Sequence, residues 1–284
     1  MNFLMGCALW GYKDWVGELF PVGSRSTDFL KLYGERFTTV EGNTTFYSVP
    51  DEKTVARWAS ETPTGFQFCP KLHKGITHHG SLQTKLGEMQ QFVMRMQGLG
   101  DRLGPIFAQL PPSYGPVEFE DLAAFLKALP LADVEFALEV RHFDWFHPPH
   151  SERLTELLTS LNIGRVLLDT RPIYEVPDDP QLHSERKKPK VPVEFSITAP
   201  FSLIRYISHP EWDANHPFLA DWMNIVAQWL RQGKRIYFFV HCPLEARSPA
   251  NARSIQQLLE RRQVPVPPLP WNLLEHLPAQ LNLF

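Results

Sequence analysis

The chain has 284 residues, 43% hydrophobic and 21% charged, a balance that excludes a disordered or fibrous protein and provides for one large core. Its 28 basic and 31 acidic residues leave a net charge of −3, so no global field draws it to nucleic acid and any polyanion contact has to be local. Three scattered cysteines make no disulfide framework, the apolar first ten residues lack a basic leader and are followed by Lys13 and Asp14, and no stretch approaches membrane-spanning length; a soluble cytoplasmic protein is expected.

In chain order, eight short apolar or aromatic runs each end abruptly on a distinctive side chain. Strands are predicted over 3–9 before Trp10, 37–40 before Glu41, 66–70 before Lys71, and 103–108 before Gln109. They continue over 136–138 before Glu139, 163–168 before Asp169, 203–204 before Arg205, and 236–240 before His241. Amphipathic helical patterns lie between them, at 28–36, 52–60, 86–96, 122–129, 152–161 and 214–231. Asp51 before Glu52, and Ser151 before Glu152, read as helix caps. Strand and helix alternating eight times predict an α/β fold, a single TIM-type (β/α)8 barrel over 1–264, followed by a Pro-rich tail over 265–284. The segment 171–200 breaks the rhythm with six prolines and no helical period, and reads as a long loop after strand 6, over the active rim.

In such a barrel the strand-end side chains gather at one mouth. Side chains two apart on a strand share a direction, which places Glu41 with Asn43 and Glu139 with Arg141, while Lys71 neighbours Glu41 and Gln109 neighbours Lys71. Glu41, Glu139 and Asp169 offer acid and base groups, and Lys71 joins them as a catalytic candidate. A Schiff base at Lys71 needs a neutral amine, which a neighbouring Glu41 opposes, so Lys71 is expected to act as a charged anion binder. Asn43, Tyr47, Gln109, Arg141, His142, Arg205, His241 and Trp10 complete the expected substrate-binding rim, with Trp10 and Gln109 as supporting wall. The aromatics Trp10, Trp15, Phe46, Tyr47, Trp145 and Phe146 either stack on a base or sugar or fill gaps beneath loops. In the long loop, Arg186, Lys187, Lys188 and Lys190 form a basic cluster, either a solvated surface or a clamp for phosphate. A divalent cation would have to use the three carboxylates with His78, His79 or His142, but no compact ligand spacing occurs, and phosphate-binding glycine loops and the Gly-x-Ser-x-Gly elbow are absent; no cofactor is expected.

These segments resemble the YecE-like family, domain of unknown function 72. The resemblance runs over almost the whole length, through Trp15 with Phe20-Pro21, Glu41-Gly42-Asn43-Thr44-Thr45-Phe46-Tyr47, Phe68 to Lys71 with Ile76-Thr77-His78, Gln109-Leu110-Pro111-Pro112, Glu139-Val140-Arg141-His142 and Asp169-Thr170-Arg171. It implies a barrel of the triosephosphate isomerase type and implies no particular reaction. The chain departs from the commoner pattern at Arg205-Tyr206-Ile207-Ser208 and His241-Cys242-Pro243.

The last five residues, Gln280-Leu281-Asn282-Leu283-Phe284, resemble the short motif by which bacterial replication and repair proteins bind the sliding clamp, with Gln280 supplying amide hydrogen bonds and Leu281, Leu283 and Phe284 apolar anchors. Packing of those anchors back onto the barrel is the alternative. The leading functional expectation is an enzyme working by acid/base chemistry on a small anionic, plausibly phosphorylated, substrate. The rivals are a nuclease-like DNA-maintenance protein recruited to the clamp, and a non-catalytic binding scaffold.

Overall fold

Eight parallel strands follow one another around a closed barrel: β1 (Phe3–Cys7), β2 (Thr39–Gly42), β3 (Gln67–Pro70), β4 (Ile106–Gln109), β5 (Phe136–Glu139), β6 (Gly164–Asp169), β7 (Phe201–Ile207) and β8 (Arg235–His241). The structure is a computed structural model and describes residues 1–182 and 187–274. Six strands pair continuously in the order β1-β8-β7-β6-β5-β4, and β2 pairs with β3. Short contacts close the two remaining seams. At the first, the Thr38 amide donates to Met5 O at 3.1 Å and the Met5 amide to Thr38 Oγ1 at 2.9 Å. At the second, the Gly104 amide donates to Phe68 O at 2.7 Å and the Leu72 amide to Phe107 O at 2.9 Å.

The first seam is opened by a side chain. The Tyr33 hydroxyl enters between β1 and β2, accepting from the Cys7 amide and donating to Thr39 O. Glycine is needed at position 6, because a Cβ there would lie 1.9 Å from Thr39 O.

Alternation along the strands sorts their side chains into two layers. Leu4, Cys69, Phe107, Ala137, Val166, Leu203, Tyr237 and Phe239 fill the barrel interior. Met5, Val40, Phe68, Ile106, Leu138, Leu167, Ile204 and Phe238 face outward into the larger core under the helices. At roughly 1.5–3 kcal/mol for each fully buried large apolar side chain, this double layer supplies the main force that holds the strand ends together.

The helices occupy the predicted stretches with moved ends: Phe29–Gly34, Glu52–Glu61, Leu86–Gln97, Phe119–Lys127, His150–Ser160, His216–Arg231 and, after β8, Ser248–Arg261. Asp51 caps the second, accepting from the Thr54 amide at 2.8 Å. Ser151 does not cap its helix; it lies one residue inside, behind Pro149 and His150, and is buried. Between β6 and β7 a single turn, Arg171–Tyr174, stands where the other units carry a helix, and the rest of the described segment runs as a strap. Val191 of that strap packs on Leu168, Ile173 and Ile207, above β6 and β7. Beyond Arg261 the chain returns to the barrel: Trp271 sets its ring edge-on to Phe37 at 5.9 Å, so the described end of the Pro-rich segment is part of the packing. No helix among the described residues is long and apolar enough to cross a membrane.

Candidate functional site at the barrel mouth

Strand parity decides which strand-end groups meet. Glu41, Lys71, Gln109, Glu139, Arg205 and His241 all continue the inward-facing series of their strands, and each is at least nine-tenths buried. Arg205 is the hub. Its Nε and Nη2 hold the two oxygens of Glu41, both at 2.8 Å, and its Nη1 donates to Glu139 Oε2. The other Glu139 oxygen accepts from Arg141 Nε at 2.6 Å, and Asn43 Nδ2 donates to Glu41 Oε1 at 2.6 Å and to Ala8 O at 2.9 Å. His241 Nε2 lies 2.8 Å from Glu41 Oε2 and its Nδ1 lies 3.4 Å from Lys188 Nζ. Since a carboxylate only accepts and an ammonium only donates, the imidazole carries its proton on Nε2.

This network sets the charges. Burial alone would raise both glutamates, but Arg205 and His241 hold Glu41 well below the ordinary carboxylate range, and Arg205, Arg141 and Lys71 bring Glu139 down to about 2. Burial lowers His241 to about 4, with Lys188 and Arg205 adding to it against the pull of Glu41. The imidazole is therefore neutral at physiological pH. Both glutamates are fixed anions committed to arginine, poorly suited to donate a proton at neutral pH.

Lys71 is in the opposite condition. Its Nζ donates to Gln109 Oε1 at 2.7 Å and sits 4.0 Å from the centre of the Phe46 ring, with no ion pair among the described residues. Burial and the neighbouring Arg205 bring it down to about 7, against the opposing pull of Glu139 and Glu41. Sequence reasoning had Glu41 favour the ammonium form; in the fold the carboxylates beside Lys71 are paired with Arg205, and desolvation outweighs their pull. A second amine, Lys188, arrives from the strap after β6. Its amide donates to Gln181 Oε1 at 2.7 Å, its carbonyl accepts from the Tyr174 hydroxyl, and burial with Arg205 brings its Nζ down to about 8.

Other expected residues stand elsewhere. Asp169 follows Leu167 on the outward face of β6, where its oxygens accept from the Arg171 amide, Nε and Nη2 and from Trp222 Nε1 at 2.8 Å. It faces the helix His216–Arg231 and leaves the carboxylate trio unformed. Trp10 packs edge-on against Trp58 and Phe68, outside the strand ring. His142 caps the turn Phe143–Phe146, its Nδ1 accepting from the Asp144 amide. Tyr47 is exposed at the rim, 5.7 Å from Lys74 Nζ and edge-on to Phe46. Trp15 and Trp145 are fully buried, their Nε1 groups donating to Glu245 O and Tyr114 O.

The basic cluster of the loop is not one clamp. Lys187 pairs with Asp179 at 3.0 Å, Lys190 lies over the Tyr174 ring at 5.6 Å, and of the described members Lys188 alone reaches the mouth; Arg186 lies outside the described residues, as do Gln280, Leu281, Leu283 and Phe284. Among the described residues no three His, Cys, Asp or Glu side chains gather to hold a metal ion.

Sequence reasoning missed Glu245. It follows β8 and comes within electrostatic reach of Lys188 and Glu41, and burial pushes its carboxyl up to about 7. No hydrophobic run ends on it, so no local pattern signals it.

Comparison with known proteins places the chain in a family. The family model described as "Protein of unknown function DUF72" matches residues 4–274. The UPF0759 protein YecE of Escherichia coli (strain K12) is 33% identical over 287 residues, covering 99% of each chain. The UPF0759 protein YunF of Bacillus subtilis (strain 168) is 25% identical over 186 residues, 63% of this chain and 61% of its own. Crystal structures of DUF72 family proteins from Thermotoga maritima MSB8 and Enterococcus faecalis V583 share the fold, with TM-scores of 0.70 and 0.68 at 22% and 18% identity. The first covers 92% of this chain and 100% of its own, the second 91% and 95%.

Proposed function

The chain belongs to the DUF72 family, and we propose that it is an enzyme that binds a small anionic substrate at the C-terminal mouth of the barrel and moves a proton with Lys71. The observation that carries this reading is the state of that amine: buried, held by one neutral acceptor, and brought to about 7, where it takes up and releases a proton at physiological pH. Arg141, partly exposed beyond Glu139, and Lys188 from the strap supply the positive charge for the anion. Glu41, Glu139 and Arg205 form a positioning frame, since their charges are satisfied by one another. The two amines, which have no carboxylate partner among the described residues, also favour an enzyme over a silent scaffold, in which a buried lysine has no role to offset its desolvation cost.

Thermal shift and calorimetry with inorganic phosphate and small phosphorylated and carboxylated compounds test this. Millimolar anion should stabilise the wild type, and Lys71→Met and Arg141→Met should each weaken binding at least ten-fold; affinity indifferent to both substitutions would refute the assignment. The residues 280–284 carry a compatible second reading, recruitment to a bacterial sliding clamp, on their sequence alone.

A further inference from the structure

Beside the mouth, the loops after β3 and β4 and the start of the helix Phe119–Lys127 line an open cleft of about 570 Å³, within the range of small-molecule sites. We propose that this cleft is a specificity pocket for an uncharged, hydroxyl-rich body attached to the anionic group, so that the substrate is a phosphorylated or carboxylated polyol or sugar. The inference rests on the anion reading of the mouth and adds the chemistry of the rest of the molecule.

Two contacts join the cleft to the reactive amine. His78 lines it and sets its ring edge-on to Phe46 at 5.0 Å, and Phe46 also meets Lys71 Nζ at 4.0 Å. A ligand whose anionic end lies at Lys71 and Arg141 therefore extends past His78 into the cleft.

The lining selects what fits. Thr77, Ser81, Ser113 and Tyr114 bring hydroxyls, those of Ser81 and Tyr114 with their protons given to Asp121, and among the described residues no lysine or arginine lines the space, so a second anionic group has no partner there. Burial together with Lys71 and Arg141 lowers His78 to about 4, which makes it a neutral donor and acceptor, with Nδ1 2.8 Å from Thr77 Oγ1. Asp121 is used structurally, accepting from Ser81, Tyr114 and the amides of Leu82 and Gln83. Glu118 commits Oε2 to the Gly115 amide at 2.9 Å and leaves Oε1 to accept from hydroxyls. Ser113 and His78 as neutral donors, the oxygens of Ser81 and Tyr114 and the Glu118 carboxylate as acceptors, and Pro111 as an apolar surface suit the alternating C–H and O–H surface of a polyol.

Calorimetry with glucose 6-phosphate and inorganic phosphate tests the pocket, using the wild type, Ser113→Trp and Glu118→Gln. Ser113 is exposed, so the indole fills the cleft without entering the core, and the amide at 118 retains an acceptor for Gly115. The wild type should bind the sugar phosphate about ten-fold more tightly than phosphate, Ser113→Trp should bring the two within two-fold, and Glu118→Gln should cost the sugar phosphate about three-fold. Inorganic phosphate should bind all three proteins equally. Binding of phosphate with no preference for the sugar phosphate, or a preference untouched by Ser113→Trp, would overturn the pocket and leave the mouth reading intact. Failure of both probes to bind the wild type would overturn the mouth reading and the pocket with it.

Discussion

Replacing Lys71 by methionine should make the protein more stable at mildly acidic pH and give that advantage back as the pH rises. Lys71 is 6% exposed, so its charge is weakly screened by solvent, and the amine is brought from the usual 10.5 to about 7. At about 1.4 kcal/mol per pH unit, the fold bears a cost of about 5 kcal/mol below pH 7 for holding the ammonium. In the unfolded chain the lysine keeps its proton up to about 10.5, whereas the folded chain releases it above about 7. Between these limits the unfolded state binds more protons, and wild-type stability rises with pH. Methionine removes the cost and leaves Gln109 Oε1 without its donor, a loss of about 2 kcal/mol. The variant should therefore exceed the wild type by about 3 kcal/mol at pH 6 and match it near pH 9. Glu139 at about 2 and His241 at about 4 titrate below this window, and Lys188 and Glu245, which titrate inside it, are present in both proteins. Urea unfolding followed by tryptophan fluorescence at pH 6, 7, 8 and 9 measures the difference; a wild type more stable at pH 6, or a difference flat across the series, would refute the reasoning.

Arg205→Met should cost about 3–5 kcal/mol, because Glu41 and Glu139 are left buried with much of their charge uncompensated, and adding Glu41→Gln should restore part of it; additive losses in the double variant would contradict the network. Asp169→Asn should lower stability by about 1–3 kcal/mol through its contacts to Arg171 and Trp222, yet leave phosphate affinity at the mouth within two-fold of wild type. Deleting 280–284 should abolish capture of the protein by purified sliding clamp while leaving anion binding unchanged; capture that survives the deletion would dispose of the recruitment reading.

Much of the barrel was legible because β-strand alternation and apolar runs are local properties. The rim residues Glu41, Lys71, Gln109 and Glu139 each follow a run whose parity can be counted from sequence, and the structure brings them together. Asp169 shows where that count must be applied with care: the run before it ends on Leu168, which faces inward, so the next residue turns out toward the helix. Strand ends were less legible. Arg205 was read as following a two-residue run, whereas it is the fifth residue of β7, followed in the strand by Tyr206 and Ile207, because an arginine with two carboxylate partners is tolerated inside a strand.

The ionisation of Lys71 depends on who neutralises Glu41, and that partner is 164 residues away along the chain. No local pattern carries such a fact. Lys188 is similar: composition marks it as one of a basic cluster, while only the fold of the strap, pinned by Tyr174 and Gln181, singles it out from Lys187 and Lys190.

The central claim is that Lys71 exchanges its proton near neutral pH and meets the anion. An NMR titration of the Lys71 Cε resonance, assigned by comparison with Lys71→Met and run with and without saturating phosphate, tests it directly. The amine should titrate near 7 without phosphate and higher with it, since a bound anion favours the ammonium form. Titration at the ordinary lysine value, or a midpoint indifferent to phosphate, would contradict the account.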